Sequence, residues 1–324
     1  MTAHAAGSDF NIQVAPSPLA ISLTPGQQQS ASLTVRNFSN HNEVLRPSLT
    51  GFRMDSHSQK ISLTGRPPAD MANWVSFEQQ TLTLGPGAAR NLDISFATPN
   101  DVGFSYSAAI TLSRVGEGTQ SGTTSLKGSV AIFCLININR ADAKSALAID
   151  SFKANKSSYE FLPASFDLSL KNNGNVIAQP TGTVFIQRSF SDNTPLATLP
   201  INSQGGYILP STSRSFNADW KNGFPAYVAN PAVPGKPATY HLEWNWSHLS
   251  QLRFGRYVAK AVIIYNDGHN DVPLIASYTF WVVPWRIIGF TVFILAIMIT
   301  GLYAWGRLAF KGVKKVQHRH AHHR

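Results

Sequence analysis

Short runs of alternating apolar and polar residues dominate the chain. Ala31–Arg36, Thr81–Leu84, Asn91–Phe96, Ser107–Leu112 and Ser165–Leu170 each place their apolar side chains at every second position. A strand puts successive side chains on opposite faces, so each run predicts a half-buried strand. Pro-Gly and Asn-Gly punctuation separates the runs, the pattern of antiparallel sandwiches. Helical periodicity is scarce until Ile287–Trp305 (IIGFTVFILAIMITGLYAW), nineteen residues without a charge. At ~1.5 Å per residue that run spans about 28 Å, matching the ~30 Å hydrocarbon core of a bilayer. Its ten Ile, Leu, Val and Phe residues are worth about −3 to −6 kcal/mol of insertion free energy.

The β-rich part repeats itself. LTPG at Leu23–Gly26 and LGPG at Leu84–Gly87 each stand between two strand patterns. On a longer scale LTVRNFSN (Leu33–Asn40) is similar to LSLKNNGN (Leu168–Asn175), and GFSYSAAITLSR (Gly103–Arg114) to FGRYVAKAVIIY (Phe254–Tyr265). The order is kept while the offset grows between Asn37/Asn172 and Tyr106/Tyr257, so the second copy carries extra residues late. The expected organisation is an all-β chain of two Ig-like antiparallel sandwiches, at 9–139 and 145–283, joined at the polar stretch Asn139–Lys144. The second holds a long loop at 221–253, and a transmembrane helix at 284–306 and a basic tail at 307–324 follow. Residues 1–8, with Ala3-His4-Ala5 resembling the end of a cleavage site, are expected to be a remnant of a signal-peptide region. Both sandwiches are long enough to bury a core without disulfides.

Composition sharpens this picture. Only 14% of residues are charged against 43% hydrophobic, below the ~25% charged of an average chain. The formal charge of +10 suggests nucleic acid until its location is considered. Arg307, Lys311, Lys314, Lys315, Arg319 and Arg324 all follow the apolar run, with no acidic residue among them. The remainder is nearly balanced, so no nucleic-acid-binding face is expected. A basic flank belongs on the cytoplasmic side, which makes the chain a single-pass type I protein with its bulk extracellular. The rival arrangement is a tail-anchored protein with cytosolic sandwiches. Trp281, Trp285, Arg286, Tyr303, Trp305 and Arg307 are the candidate membrane-interface residues, because amphipathic rings and cations settle at the headgroup level. Cys134 is the single cysteine and has no internal disulfide partner.

SLTPGQQQSASLTVRN, ANWVSFEQQTLTLGPGAARNLDISFATP and GFSYSAAI in the first half resemble the N-terminal domain of WxL-interacting proteins. These are Gram-positive surface proteins with an Ig-like, periplasmic-chaperone-like sandwich. NNGNV, ILPSTSRSFNADW and FGRYVAKAVIIY, followed by FWVVPWR, an apolar helix and a basic tail, look like the membrane-proximal part of such proteins. The resemblance implies a cell-surface position, a first domain that attaches to peptidoglycan and a second that contacts partner proteins.

No G-x-S-x-G, H-E-x-x-H, P-loop or dinucleotide fingerprint occurs, so no enzyme activity and no cofactor are expected. NDGHND (Asn266–Asp271) offers two carboxylates and an imidazole to a cation, but its Asn-Asp-Gly favours a hairpin turn. HRHAHHR (His318–Arg324) gathers four histidines, suited to a metal or, beside arginines, to anionic lipid. The sequons at Asn37, Asn155 and Asn245 carry meaning only in a eukaryotic secretory pathway. The 221–253 loop stands out, with Pro225, Pro231, Pro234 and Pro237 preceding HLEWNWSHL. Phe224, Tyr227, Trp244, Trp246 and Arg253 form a candidate binding platform, because aromatic residues and arginine dominate interface hot spots and stack on sugar rings. Trp244 and Trp246 would share one face of a strand; the plainer alternative packs a Trp on the sandwich core. The expected function is binding or scaffolding at the bacterial envelope, with cell-wall polymer or surface proteins as partners. The alternatives are an accessory subunit of a membrane complex and, more remotely, a glycan-processing enzyme with paired carboxylates.

Overall fold

A computed structural model of the chain describes residues 3–7, 10–54, 61–115, 128–189, 194–231 and 237–320, with backbone alone for 3–7, 54 and 308–320. The fold is all-β with one C-terminal helix. Four of the alternating runs named above lie within strands, and Thr81–Leu84 overlaps the strand Leu82–Leu84. Ala31–Arg36 falls within Gln28–Asn37, Asn91–Phe96 within Ala89–Ala97, Ser107–Leu112 within Ser105–Arg114 and Ser165–Leu170 within Ala164–Asn172.

In the first sandwich, one sheet runs in the order Ala3–Gly7, Phe10–Ala15, Gln28–Asn37, Ala89–Ala97, Val75–Phe77. The facing sheet runs Leu19–Leu23, Ser129–Ile138, Ser105–Arg114, Glu43–Thr50, Leu82–Leu84. All pairings in these sheets are antiparallel except Leu19–Leu23 beside Ser129–Ile138. Residues 3–7, expected to lie outside the sandwich as a cleavage remnant, form an edge strand in which Ala3 faces Val14. Leu33, Val35, Leu92, Ile94, Phe96, Ile110 and Ile132 are completely buried between the sheets, as period-two patterning requires.

The second sandwich packs Leu147–Ala154, Ala164–Asn172 and Ser213–Trp220 against the sheet Ser158–Tyr159, Asp271–Val282, Gly255–Asn266, Thr181–Arg188, Ala197–Ile201. Its core is a separate cluster built around Trp220, Tyr257, Phe166 and Phe280. Trp220 meets Tyr257 edge-on at 5.2 Å and Phe280 at 6.0 Å, the arrangement the ring quadrupoles favour.

The repeated residues occupy equivalent positions. Asn37 and Asn172 end corresponding strands and are fully buried. Asn37 donates its amide to the carbonyls of His41 and Leu84, at 2.8 and 3.1 Å, and accepts from Ser39 N. Asn172 donates to Val176 and Ile208, at 2.8 and 3.0 Å, and accepts from Gly174 N. Each amide replaces the ladder partners lost where the strand ends. Burial of Asn37 also leaves that sequon closed to modification. Tyr106 OH accepts from Gly103 N at 2.7 Å, and Tyr257 OH from Phe254 N at 3.1 Å. Each is a tyrosine folded back onto the backbone three residues upstream.

The sandwiches stack head to tail. The end of the first that carries Ser105 and Asn137 meets the end of the second that carries Asn175 and Ile177. Asn137 makes two bonds to Ile177, donating to its O and accepting from its N, both at 3.0 Å, and Ser105 Oγ donates to Asn175 O. The polar connection 139–146 is bound as well: Lys144 N donates to Asn175 Oδ1 and Asn175 N to Lys144 O. Asn175 Nδ2 donates to Asp142 O, and Ser145 N to Asp267 O. A Cβ on Gly174 would lie 2.2 Å from Lys144 O, so only glycine admits this close approach.

The chain leaves the second sandwich at its opposite end. Strand Asp271–Val282 runs through Pro284 into a helix, Trp285–His320. The helix does not stop near residue 306 as the apolar run suggested, but continues to His320 through the basic segment, which contains no proline. Its Trp285–Arg307 portion has mean hydropathy 2.3, is long and apolar enough to cross a membrane, and is nowhere buried by the rest of the protein. Such exposure is not that of a core helix. Arg286 pairs with Glu160 at 3.3 Å, tying the first turn of the helix to the sandwich.

Candidate binding surfaces

The connection after Trp220 distinguishes the two copies. In the first sandwich, residues 98–104 join Ala89–Ala97 to Ser105–Arg114; in the second, residues 221–254 join the corresponding strands. This insertion accounts for the extra residues the repeat placed late in the second copy. It forms a two-stranded ribbon, Ala226–Ala229 with Tyr240–Glu243, and a 3-10 turn, Trp246–Gln251. Asn245 caps that turn, its Oδ1 accepting from Ser247 N and Oγ, so this sequon position has a local structural role.

Trp244 and Trp246 do not share a strand face. The strand ends at Glu243, Trp244 follows it and Trp246 opens the 3-10 turn. Their rings nevertheless lie 6.0 Å apart, and both rest on Phe224, at 5.8 and 5.3 Å. Phe224 is buried, while both tryptophans are exposed. The other two platform candidates serve elsewhere. Tyr227 packs on Phe161 at 6.1 Å. Arg253 lies over Trp220 at 5.6 Å and donates to Asn222 O, and desolvation lowers its pKa. The sequence pattern does not single out Leu249, Leu252 and Phe254, which extend the exposed apolar face; their spacing became meaningful only once the 3-10 turn was known.

Among the membrane-interface candidates, Trp281 is exposed on the last strand, and Trp285 and Arg286 begin the helix, the guanidinium 5.2 Å from the indole. Tyr303, Trp305 and Arg307 are exposed at the far end of the apolar stretch, where Arg307 lies 5.1 Å over the Tyr303 ring.

A second surface went unanticipated. A cleft of about 320 Å³ opens between the sandwiches, lined by Phe52, Phe133 and Leu135 from the first and Tyr207, Leu209 and Arg214 from the second. Burial lowers the Arg214 pKa, and its guanidinium donates to Tyr207 O. Residues from two distant parts of the sequence meet there, so no local motif announces it. At the far tip of the first sandwich, Glu43 is buried and pairs with Arg114 and with His41 at 2.9 Å.

NDGHND is a hairpin turn. Asp267 Oδ1 accepts from His269 N and Asn270 N, which lowers its pKa, and Gly268 has φ +109°. Asn266 Oδ1 accepts from Gly268 N, and Asp271 Oδ1 from Asn266 Nδ2. Among the described residues no cluster of three or more His, Cys, Asp or Glu is placed to hold a metal. The HRHAHHR side chains lie outside the described residues.

Together the sheets define a class, the two-sandwich all-β chain with an unburied C-terminal apolar helix. No family model matches the chain, and no curated protein matches it. Among solved structures it is similar to the YadV chaperone, at 10% identity, covering 82% of this chain and 99% of the other with a TM-score of 0.38. It is also similar to the E. coli chaperone DraB, at 11% identity, 82% and 98% coverage and TM-score 0.36. The SafB chaperone of Salmonella enterica, solved in complex with the SafA pilin, matches at 11% identity, 85% and 100% coverage and TM-score 0.37. The fold described here rests on the chain's own sheets and registers.

Proposed function

We propose that the protein is a membrane-anchored binding scaffold of the bacterial cell surface, resembling WxL-interacting proteins, which holds two sandwiches outside the membrane and presents them to cell-wall polymer or to surface proteins. The observation that carries this reading is polarity along the chain. The first sandwich joins one end of the second, while the unburied apolar helix leaves the other end. Such an arrangement sets the first sandwich away from the bilayer, with the apolar interdomain cleft open to a partner segment. Concave apolar sites with a few polar groups are the usual places for ligands. The basic residues that follow Trp305 support a cytoplasmic tail, since a basic flank favours that side of the membrane.

Protease accessibility on intact cells, with one epitope tag at the N-terminus and another after Arg324, tests the arrangement. Digestion of the first tag with survival of the second is the expected result. Protection of both, with the N-terminal tag digested only after lysis, would place the sandwiches in the cytosol and end the surface reading. With the orientation established, binding of the full chain to purified sacculi separates wall polymer from protein partners.

A further inference from the structure

The two copies point the same way along the tandem. The tyrosine end of the first sandwich, with its short 98–104 connection, is covered by the second sandwich through Asn137, Ser105 and Ile177. Among the described residues, the tyrosine end of the second is followed by the helix and not by another sandwich. The 221–254 insertion grows from that end, and so does the helix. Phe254 immediately precedes Gly255, which pairs with Val282 on the neighbouring strand. Two residues, Val283 and Pro284, then lead from Val282 to the helix that begins at Trp285, three steps of chain or roughly 10 Å at ~3.3 Å per residue.

At this end several large hydrophobic side chains are exposed. Trp246 is 68% exposed, Phe254 59%, Leu249 53% and Trp244 45%, and Trp281 and Trp285, at the strand end and the start of the helix, are exposed as well. Large exposed apolar groups gathered in one place mark an interaction surface. Cations ring them. Lys156, Arg188, Arg256 and Arg286 lie on the loops and strand ends at this level, and Lys221 and Arg253 on the insertion. Their acidic neighbours are Glu160, Asp219 and Glu243. Two of those are already engaged, Glu160 with Arg286 and Asp219 with Lys221. Tryptophan rings backed by cations suit the headgroup layer of a bilayer, where amphipathic rings settle and Lys or Arg meets anionic lipid.

We infer that the 221–254 insertion is a membrane foot: Trp244, Trp246, Leu249 and Phe254 seat in the interfacial layer of an anionic bilayer beside the point where the helix enters. This rests on reading the helix as a membrane anchor. The foot gives the second sandwich a second attachment and fixes its tilt, which one helix alone leaves free. On this account the platform takes lipid as its occupant, and glycan and protein ligands are left to the cleft and the far tip.

The test uses the full-length chain in vesicles of phosphatidylcholine and phosphatidylglycerol. An environment-sensitive fluorophore is attached in turn at Trp246→Cys, Leu249→Cys, Ile294→Cys in the helix and Asn40→Cys at the far tip. Cys134 is buried and its thiol pushed up to about 12, so it stays unlabelled and in place. Lipids carry a quencher either at the headgroup or deep in the acyl chain. The expected result is loss of fluorescence at 246 and 249 with the shallow quencher and a blue-shifted emission there. Ile294 should lose fluorescence with the deep quencher, and Asn40 with neither. If 246 and 249 behave as Asn40 does while Ile294 is quenched, the anchor stands and the foot is overturned, leaving that face to a soluble ligand. If Ile294 itself is unquenched, the anchor reading fails and the foot fails with it.

Discussion

The two sandwiches share their fastenings and differ in what lies beneath them. Each closes a strand end with a buried asparagine, Asn37 or Asn172, and each folds a tyrosine, Tyr106 or Tyr257, onto the backbone three residues upstream. Each also sets a tryptophan edge-on to that tyrosine at 5.2 Å, Trp74 to Tyr106 and Trp220 to Tyr257. Where the second sandwich covers the first, seven residues suffice to cross the end; where no sandwich follows, the crossing takes thirty-four. The fold thus tolerates elaboration at the end that packing against a neighbour does not constrain, the general behaviour of loops on rigid scaffolds.

Equivalence of the fastenings is tested most severely at the asparagines. Asn37→Ala and Asn172→Ala each orphan buried carbonyls and a backbone N–H, and each should cost about 2–4 kcal/mol, since an unsatisfied buried group costs about 1–3 kcal/mol. Denaturant unfolding of the full chain measures both. Cys134 separates the contributions, because its buried thiol becomes labelled only when the first sandwich opens. Asn37→Ala should therefore lower the midpoint of thiol labelling, and Asn172→Ala should leave it nearly unchanged. A large effect of one substitution beside none of the other would break the equivalence.

A smaller effect is expected where the copies join. Asn137→Ala removes two hydrogen bonds to Ile177, a coupling of about 1–3 kcal/mol at ~0.5–1.5 kcal/mol per bond. Calorimetry should then show two separated transitions in place of one broadened transition, with each core intact. The tyrosines come last. Tyr106→Phe and Tyr257→Phe keep the ring and lose one acceptor, so each should cost about 1 kcal/mol. Amide exchange should quicken at Gly103 and Phe254 respectively, sharpening the comparison to a single bond in each copy.

Much of the architecture was legible in the sequence because burial in a sandwich imposes period two on most strands, and the C-terminal apolar helix stands out as an uncharged run. The duplication was legible too, since Asn37/Asn172 and Tyr106/Tyr257 are held in place by backbone bonds that no other side chain reproduces. The platform was half legible. Tryptophan content and proline punctuation marked the insertion, but Trp244 and Trp246 come together through a 3-10 turn and the buried Phe224, not through strand alternation. Proximity in sequence groups Arg253 and Tyr227 with the platform, whereas packing sends them to Trp220 and Phe161. The cleft was illegible, because Phe52, Phe133 and Tyr207 meet only through the stacking of the two sandwiches.

The connection at 139–146 reads as a hinge by composition, but the NNGN turn grips it along its length and Gly174 leaves no slack at the contact. Mechanically, these bonds brace the middle of the tandem, so that a load on the far tip is passed along the connection toward the base, where Arg286 pairs with Glu160 at the first turn of the helix.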